Sequence, residues 1–387
     1  MIAPADSPHT IRPLEGLLNL GCEVVFLAAR DPFGPLVNGY TYQKVRSWRG
    51  KYTLKRLSTT LCRMVEYWFE VLPMKRMWKR LKVDLVHVSW VNEQAARCVE
   101  EGMRPLVLTI WGSDINDLFA VGADPKYRAR IGRALAQADL VLVDSRDMIE
   151  KCTLLAGAPI KIKLQMVGID TQLCRPGYAD EAKAWKRALG IARDCKVLLS
   201  VRALAAHYGQ RDILHAYAAA LPKITGATVL VINRHNGSPD GAPSPYEMEL
   251  RALAAQLGIS DHVRWMDSVP TSLLPAVYAA AELVVNYPSK DAFPVTFLEA
   301  AACERPVLSC LLPAYEDTFA AKCFMMLRHR RLSDLSEALV VQMNATKILP
   351  DDLLAQARRQ VVLQYDKSIT SVRLLAHYKE VLSKVRS

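Results

Sequence analysis

No run of roughly 18 or more uncharged apolar residues occurs in the 387-residue chain, so a membrane-spanning helix is not expected. The opening Met1-Ile2-Ala3-Pro4 lacks the basic and apolar stretches of a secretory leader, and no export is expected from it. Cysteine pairing is missing as well. The nine cysteines are scattered singly, with no CxxC pair and an odd total. That usage points to reduced thiols in the cytoplasm and disfavours a disulfide framework. The spacing of Cys303, Cys310 and Cys323 matches no metal site. Acidic residues are scarce in one window: between Lys44 and Lys82 twelve Lys and Arg face only Glu66 and Glu70. Most of the chain's formal charge of +11 therefore sits in one patch, which points to an anionic surface as partner.

What is present describes a globular protein. A hydrophobic content of 51% with 23% charged residues is far from a disordered composition, and the length suits two domains. Ile11 to Leu20 has a helical pattern closed by Gly21, and Glu23 to Leu27 reads as a buried strand. Further strands are expected at Asp84–Val88, Leu106–Ile110 and Asp139–Val143, with helices at Asn92–Glu100 and Tyr127–Ala136 between them. The alternation restarts after Gly168-Ile169-Asp170. Strands are expected at Val197–Val201, Ala227–Ile232, Val263–Trp265, Leu283–Val285 and Pro306–Leu308. The helices expected there are Gln210–Leu221, Tyr246–Leu257, one running through Tyr278, and Val295–Ala302. Continuous apolar strands alternating with helices imply an α/β protein of two doubly wound parallel sheets, with a boundary near 165–175. Ligands of such sheets bind beyond the carboxyl ends of the strands. Only Met1-Ile2-Ala3 precede the loop at Pro4, so the first strand is either stunted or incomplete at the chain start.

The densest chemistry lies in Lys290-Asp291-Ala292-Phe293-Pro294-Val295-Thr296-Phe297-Leu298-Glu299. A strand ends near Asn286, a loop follows, and Pro294 suits the first turn of a helix because its missing N–H needs no partner there. Such a helix start offers backbone N–H groups and a positive dipole end to a phosphate. Asp291 and Glu299 place carboxylates that could accept sugar hydroxyls, although spacing alone is equally that of a solvated helix.

This stretch resembles the acid-x7-acid motif of the retaining GT-B glycosyltransferases of family GT4, with Asp291 in the position of the first Glu and Glu299 in that of the second. The resemblance extends to Ser7-Pro8-His9-Thr10, Leu20-Gly21-Cys22-Glu23-Val24, Val167-Gly168-Ile169-Asp170, and Ser200-Val201-Arg202 followed by Tyr208-Gly209. It implies a GT-B fold: an acceptor domain at 1–168, a nucleotide-sugar domain at 169–368, and a helix at 369–387 returning to the first domain. It implies an enzyme that moves a sugar from a nucleotide-sugar to a hydroxyl acceptor with retention and without a metal or other cofactor. Glu299 would bind the donor ribose, and Asp291 with the N–H groups of Phe293 and Val295 would hold sugar and phosphates. Arg202 would neutralise the leaving diphosphate, a role suited to a permanent, forked cation. The loop at Met266 would lie beside the base, and the acceptor side would hold His9, Trp111 and Asp114.

Four departures from the family pattern stand out. Tyr208 occupies a position where a Lys is usual, leaving His207 or Arg211 to supply the charge. Trp111 replaces a frequent His and cannot act as a base, which leaves the donor phosphate to take the acceptor proton. Asn233-Arg234-His235-Asn236-Gly237 lacks an expected Gly pair, and Glu304 stands in place of a usual Gly. Two other readings stay open: a catalytically silent GT-B scaffold or partner protein, and a nucleotide-sugar epimerase. His87, in an apolar strand, reads as a core histidine.

Within the basic segment Met74, Met77, Trp78 and Leu81 recur at helical spacing opposite Lys75, Arg76, Lys79, Arg80 and Lys82. A basic amphipathic helix with an aromatic anchor suits an anionic membrane surface, and no nucleic-acid module accompanies it. The expectation is a cytoplasmic protein, peripheral on the inner face of the membrane, acting on a lipid-linked, polysaccharide or lipopolysaccharide acceptor.

Overall fold

The computed structural model describes residues 1–2, 7–28, 41–44, 80, 82–234 and 242–386. The basic segment, with its expected helix over 74–82, falls almost wholly outside them. The chain forms two compact units, Met1–Gly168 with Lys367–Ser387, and Ile169–Asp366.

In the first unit Ser7 caps helix α1 (Pro8–Asn19), its hydroxyl accepting the His9 N–H. Strands β1 (Val25–Ala28) and β2 (Thr41–Lys44) pair in parallel. A four-stranded parallel sheet follows in the order of the chain: β3 (Val86–Ser89), β4 (Leu106–Thr109), β5 (Leu140–Val143) and β6 (Ile162–Leu164). The first strand expected at the chain start is represented by a single bridge: Ile2 pairs with Val88, its N–H donating to the His87 carbonyl at 2.8 Å. The links between strands are α2 (Glu93–Glu100), α3 (Pro125–Gln137) and α4 (Arg146–Ala156). Asn92, Asp124 and Ser145 each cap one of these helices with a side-chain oxygen.

The second unit begins with α5 (Ala179–Ala188) and winds a six-stranded parallel sheet. Its strands are β7 (Lys196–Ser200), β8 (Thr228–Asn233), β9 (Val263–Met266), β10 (Leu283–Asn286), β11 (Val307–Cys310) and β12 (Met325–Leu327). Between them lie α6 (Gln210–Ala220), α7 (Pro245–Gln256), α8 (Leu274–Ala280) and α9 (Val295–Ala302), and α10 (Leu332–Asn344) and α11 (Asp351–Tyr365) follow. The spatial order is β12-β11-β10-β7-β8-β9, so successive strands step one way from β7 and the other way from β10. The gap between β7 and β10 is the topological switch point, where loops diverge and open a ligand crevice.

Helix α12 (Lys367–Arg386) packs on α1, and Leu374 and Val381 join Leu17, Val107, Leu140 and Leu142 in the core of the first unit. Gly168 permits that docking: a Cβ there would stand 2.1 Å from Thr370 Oγ1 and 2.7 Å from Lys367 Cα. His87, 4% exposed, ties the sheet to this helix. Its Nε2 lies 2.6 Å from Thr109 Oγ1 and its Nδ1 lies 2.6 Å from Tyr378 Oη. Burial holds its pKa down at about 3, so the ring is neutral.

Candidate active site

The switch point of the second unit brings together three of the residues singled out by the sequence, Arg202, Tyr208 and Asp291. Arg202 leaves the end of β7 and Asp291 lies in the loop after β10, with the guanidinium and carboxylate forming a two-pronged pair. Nη1 donates to Oδ2 at 2.7 Å and Nη2 to Oδ1 at 3.0 Å, with both side chains about one-tenth exposed. Burial, the largest single effect, opposes the guanidinium's charge, but Asp291, Tyr208 and Tyr315 together outweigh it and raise the Arg202 pKa above its ordinary value. The Tyr315 hydroxyl donates to Asp291 Oδ2 at 2.8 Å, and the Ala292 N–H to Oδ1 at 3.1 Å. Burial, and then Asp291, hold the Tyr315 phenol well above its usual pKa, so it remains a donor. Asp291 is thus first the counter-ion that fixes Arg202. The guanidinium still has three further N–H groups with which to meet a phosphate.

Tyr208, standing where a Lys was expected, contributes its ring face: the guanidinium carbon of Arg202 sits 3.9 Å from the ring centroid. The His207 ring stands 4.1 Å from that of Tyr208. Gly209 turns the chain at φ +76° into α6, and a Cβ there would strike the Tyr287 carbonyl oxygen at 2.0 Å. Arg211, the other candidate for the missing charge, is exposed on the first turn of α6. Arg330, which sequence reasoning missed, reaches this loop: it pairs with Asp212 and donates to the Tyr287 carbonyl at 3.4 Å.

Helix α9 starts at Val295 with Pro294 as its cap, and that cap supplies no side-chain acceptor for the first-turn N–H groups. The Phe293 side chain is core, its ring edge-on to Phe297, Tyr315 and Phe319, which anchors the loop under the helix start. Glu299 is 7% exposed and its Oε2 accepts the Tyr278 hydroxyl at 3.0 Å. Met266 ends β9 with a buried side chain, and its carbonyl accepts the Arg234 N–H. Arg234 is held by Glu247 and Asp267, while residues 235–237 of the expected base-side loop lie outside the described residues. Glu304 adopts φ +54°, which explains why a Gly is the easier residue there. Tyr278 and Tyr315 carried no local sequence signal, because each comes from an element far along the chain from its carboxylate.

In the first unit the structure brings His9 and Trp111 together, with ring centroids 4.8 Å apart. Asp114, 9% exposed, collects the N–H groups of Val91, Trp111 and Gly112 at 2.8–3.2 Å. Burial raises its pKa to about 6, against the lowering effect of those N–H groups. Its carboxylate holds together the segments that carry Val91 and Trp111. Among the described residues no group of three or more His, Cys, Asp or Glu could hold a metal ion.

Comparison with known proteins places the fold. Solved structures share it over nearly the full chain. Sucrose-phosphate synthase from Thermosynechococcus elongatus matches with a TM-score of 0.76 at 14% identity, covering 99% of both chains. WaaG, a glycosyltransferase involved in lipopolysaccharide biosynthesis, gives 0.70 at 15% identity, covering 96% of this chain and 98% of its own. Anabaena HepE in complex with UDP gives 0.71 at 14% identity over 98% of each. The fold is GT-B. Residues 1–145 match the model of the glycosyl transferase 4-like family, and residues 181–322 that of the glycosyl transferases group 1. The chain belongs to the GT4-type group 1 glycosyltransferases. Its curated relatives include the D-inositol 3-phosphate glycosyltransferase of Actinosynnema mirum, 29% identical over 58% of this chain and 55% of that protein. That of Salinispora arenicola is 26% identical over 78% of this chain and 69% of its own. The match thus takes in about half the length of the first of these relatives.

Proposed function

We propose that the chain transfers a sugar from a nucleotide-sugar donor to a hydroxyl acceptor, with retention and without a metal. The observation that carries the reading is the buried Arg202–Asp291 pair across the switch point, beside a helix start whose cap is a proline. This is a ready site for a diphosphate: a fixed cation on one side and backbone donors on the other. HepE was solved with UDP and with UDP-glucose, which supports a nucleotide-sugar as donor.

In this mechanism Arg202 and the start of α9 take up charge as the bond from the sugar's anomeric carbon to the diphosphate oxygen breaks. The acceptor oxygen bonds that carbon from the same face, and its proton passes to a phosphate oxygen of the departing diphosphate. Trp111, which cannot serve as a base, fits that route. Glu299, fixed by Tyr278, accepts the ribose hydroxyls. A lipid-linked or saccharide acceptor reached at an inner membrane face completes the proposal, supported by the charge of residues 44–82 and by the likeness to WaaG.

Thermal shift with UDP-, GDP- and ADP-sugars in EDTA tests the donor site, since a bound donor raises the Tm by mass action. One nucleotide series should stabilise the protein, and Glu299→Gln should weaken that nucleotide by roughly tenfold in calorimetry. Loss of all binding in EDTA, restored by Mn²⁺ or Mg²⁺, would sink the metal-free reading. Unchanged affinity in Glu299→Gln would remove Glu299 from the ribose.

A further inference from the structure

Trp90 was not among the residues that the sequence singled out, yet it is one of two non-glycine residues described in the first unit with a positive φ. It follows β3 directly at φ +75°, a conformation costly for a bulky side chain. It is also 37% exposed, so burial of the indole does not account for the strain. The backbone there is held in register: the Trp90 N–H donates to the Thr109 carbonyl at 3.0 Å. The left-handed turn presents the indole beside Trp111, with ring centroids 5.6 Å apart and planes inclined by only 21°. Trp111 is itself locked, its Nε1–H donating to Ser89 Oγ at 2.9 Å and its backbone N–H to Asp114. Two stacked indoles therefore stand at the carboxyl ends of adjacent parallel strands, where open sheets bind their ligands.

We propose that the outer face of Trp90, backed by Trp111, forms a stacking platform for a pyranose ring of the acceptor, so that the acceptor is a preformed saccharide rather than a phosphorylated polyol. The chemistry is that of the ring face. Indole faces carry the negative end of the aromatic quadrupole, and the C–H hydrogens on one side of a pyranose are weakly positive and apolar. A phosphate would gain nothing from this surface. Local strain fits the same purpose, because a relaxed backbone at residue 90 would turn the indole away from Trp111. The proposal rests on the glycosyl-transfer reading and adds the class of acceptor to it.

Saturation-transfer NMR on the full chain tests it, with the methyl glycosides of glucose, galactose and mannose, with D-inositol 3-phosphate, and with UDP, GDP and ADP as probes. At least one methyl glycoside should receive saturation at its ring C–H protons. Trp90→Gly should raise the Kd of that glycoside by roughly tenfold, while Trp90→Phe keeps most of the affinity. Glycine also relieves the backbone, so the Tm of Trp90→Gly should be unchanged or higher, which separates lost binding from lost folding. The nucleotide signal should be the same in wild type and variant. Saturation of D-inositol 3-phosphate alone, of no methyl glycoside, or of a glycoside equally in wild type and Trp90→Gly would overturn the platform while leaving the donor reading standing. Absence of saturation for every nucleotide would instead overturn the donor reading beneath it.

Discussion

Arg202 and Asp291 carry opposite charges in a place where neither could stand alone. Removing the guanidinium would leave a carboxylate about one-tenth exposed without its charged partner. Breaking such a pair typically costs about 3–5 kcal/mol, so Arg202→Ala confuses folding with catalysis. Arg202→Lys is the sharper substitution: it keeps the charge and loses the fork and the stacking on Tyr208. Its turnover should fall by roughly 10²–10³ at saturating donor while its urea midpoint moves far less than that of Arg202→Ala. Near-normal turnover in Arg202→Lys would mean that the fork is structural and that the diphosphate is met by other groups. Tyr208 gains its meaning at this scale too. Its hydroxyl could donate only one neutral hydrogen bond to a ligand, whereas its ring supports the Arg202 guanidinium.

Among elements, the seam between the sheet of the first unit and α12 depends on a neutral imidazole. His87 bridges Thr109 in β4 and Tyr378 in α12, and burial holds it unprotonated to about pH 3. The unfolded chain takes up that proton near pH 6.5. Stability from this group is therefore complete above pH 6.5 and drains away as pH falls, by about 2 kcal/mol between pH 6.5 and 5. Urea unfolding of wild type and His87→Gln across this range should give a steeper acid loss in the wild type; parallel slopes would show that the ring is not held neutral. Strands such as β4 and β5 were legible because they are unbroken apolar runs, and α9 because a loop and Pro294 announce it. The short β2 and β12 were not, since three or four residues at a sheet edge carry little periodicity. At the candidate site, Asp291 and Glu299 stood out through one linear motif and Arg202 through a second, Ser200-Val201-Arg202. Tyr278, Tyr315, Arg330 and Trp90 did not, because their roles come from tertiary approach or from a backbone angle that no local pattern encodes.

For the whole molecule the unresolved matter is where it works. None of the described helices is long and apolar enough to cross a membrane. The sequence concentrates twelve cations between Lys44 and Lys82, interleaved with Trp48, Tyr52, Tyr67, Trp68, Phe69 and Trp78. Each cation near an anionic lipid surface contributes about 1 kcal/mol, and aromatic rings suit the headgroup boundary. Attraction of this kind is screened beyond roughly 10 Å at 0.1 M salt, which separates it from simple apolar adsorption. Vesicles containing phosphatidylserine should therefore sediment the protein at low salt and release it at high salt, and neutral vesicles should bind it weakly at either. Changing Lys75, Arg76, Lys79 and Arg80 to Gln should abolish the sedimentation and leave nucleotide affinity untouched, since Arg202, Asp291 and Glu299 belong to the other unit. Binding that ignores lipid charge and survives those four substitutions would make the segment a solvated basic face. The search for an acceptor would then move from lipid-linked saccharides to soluble ones.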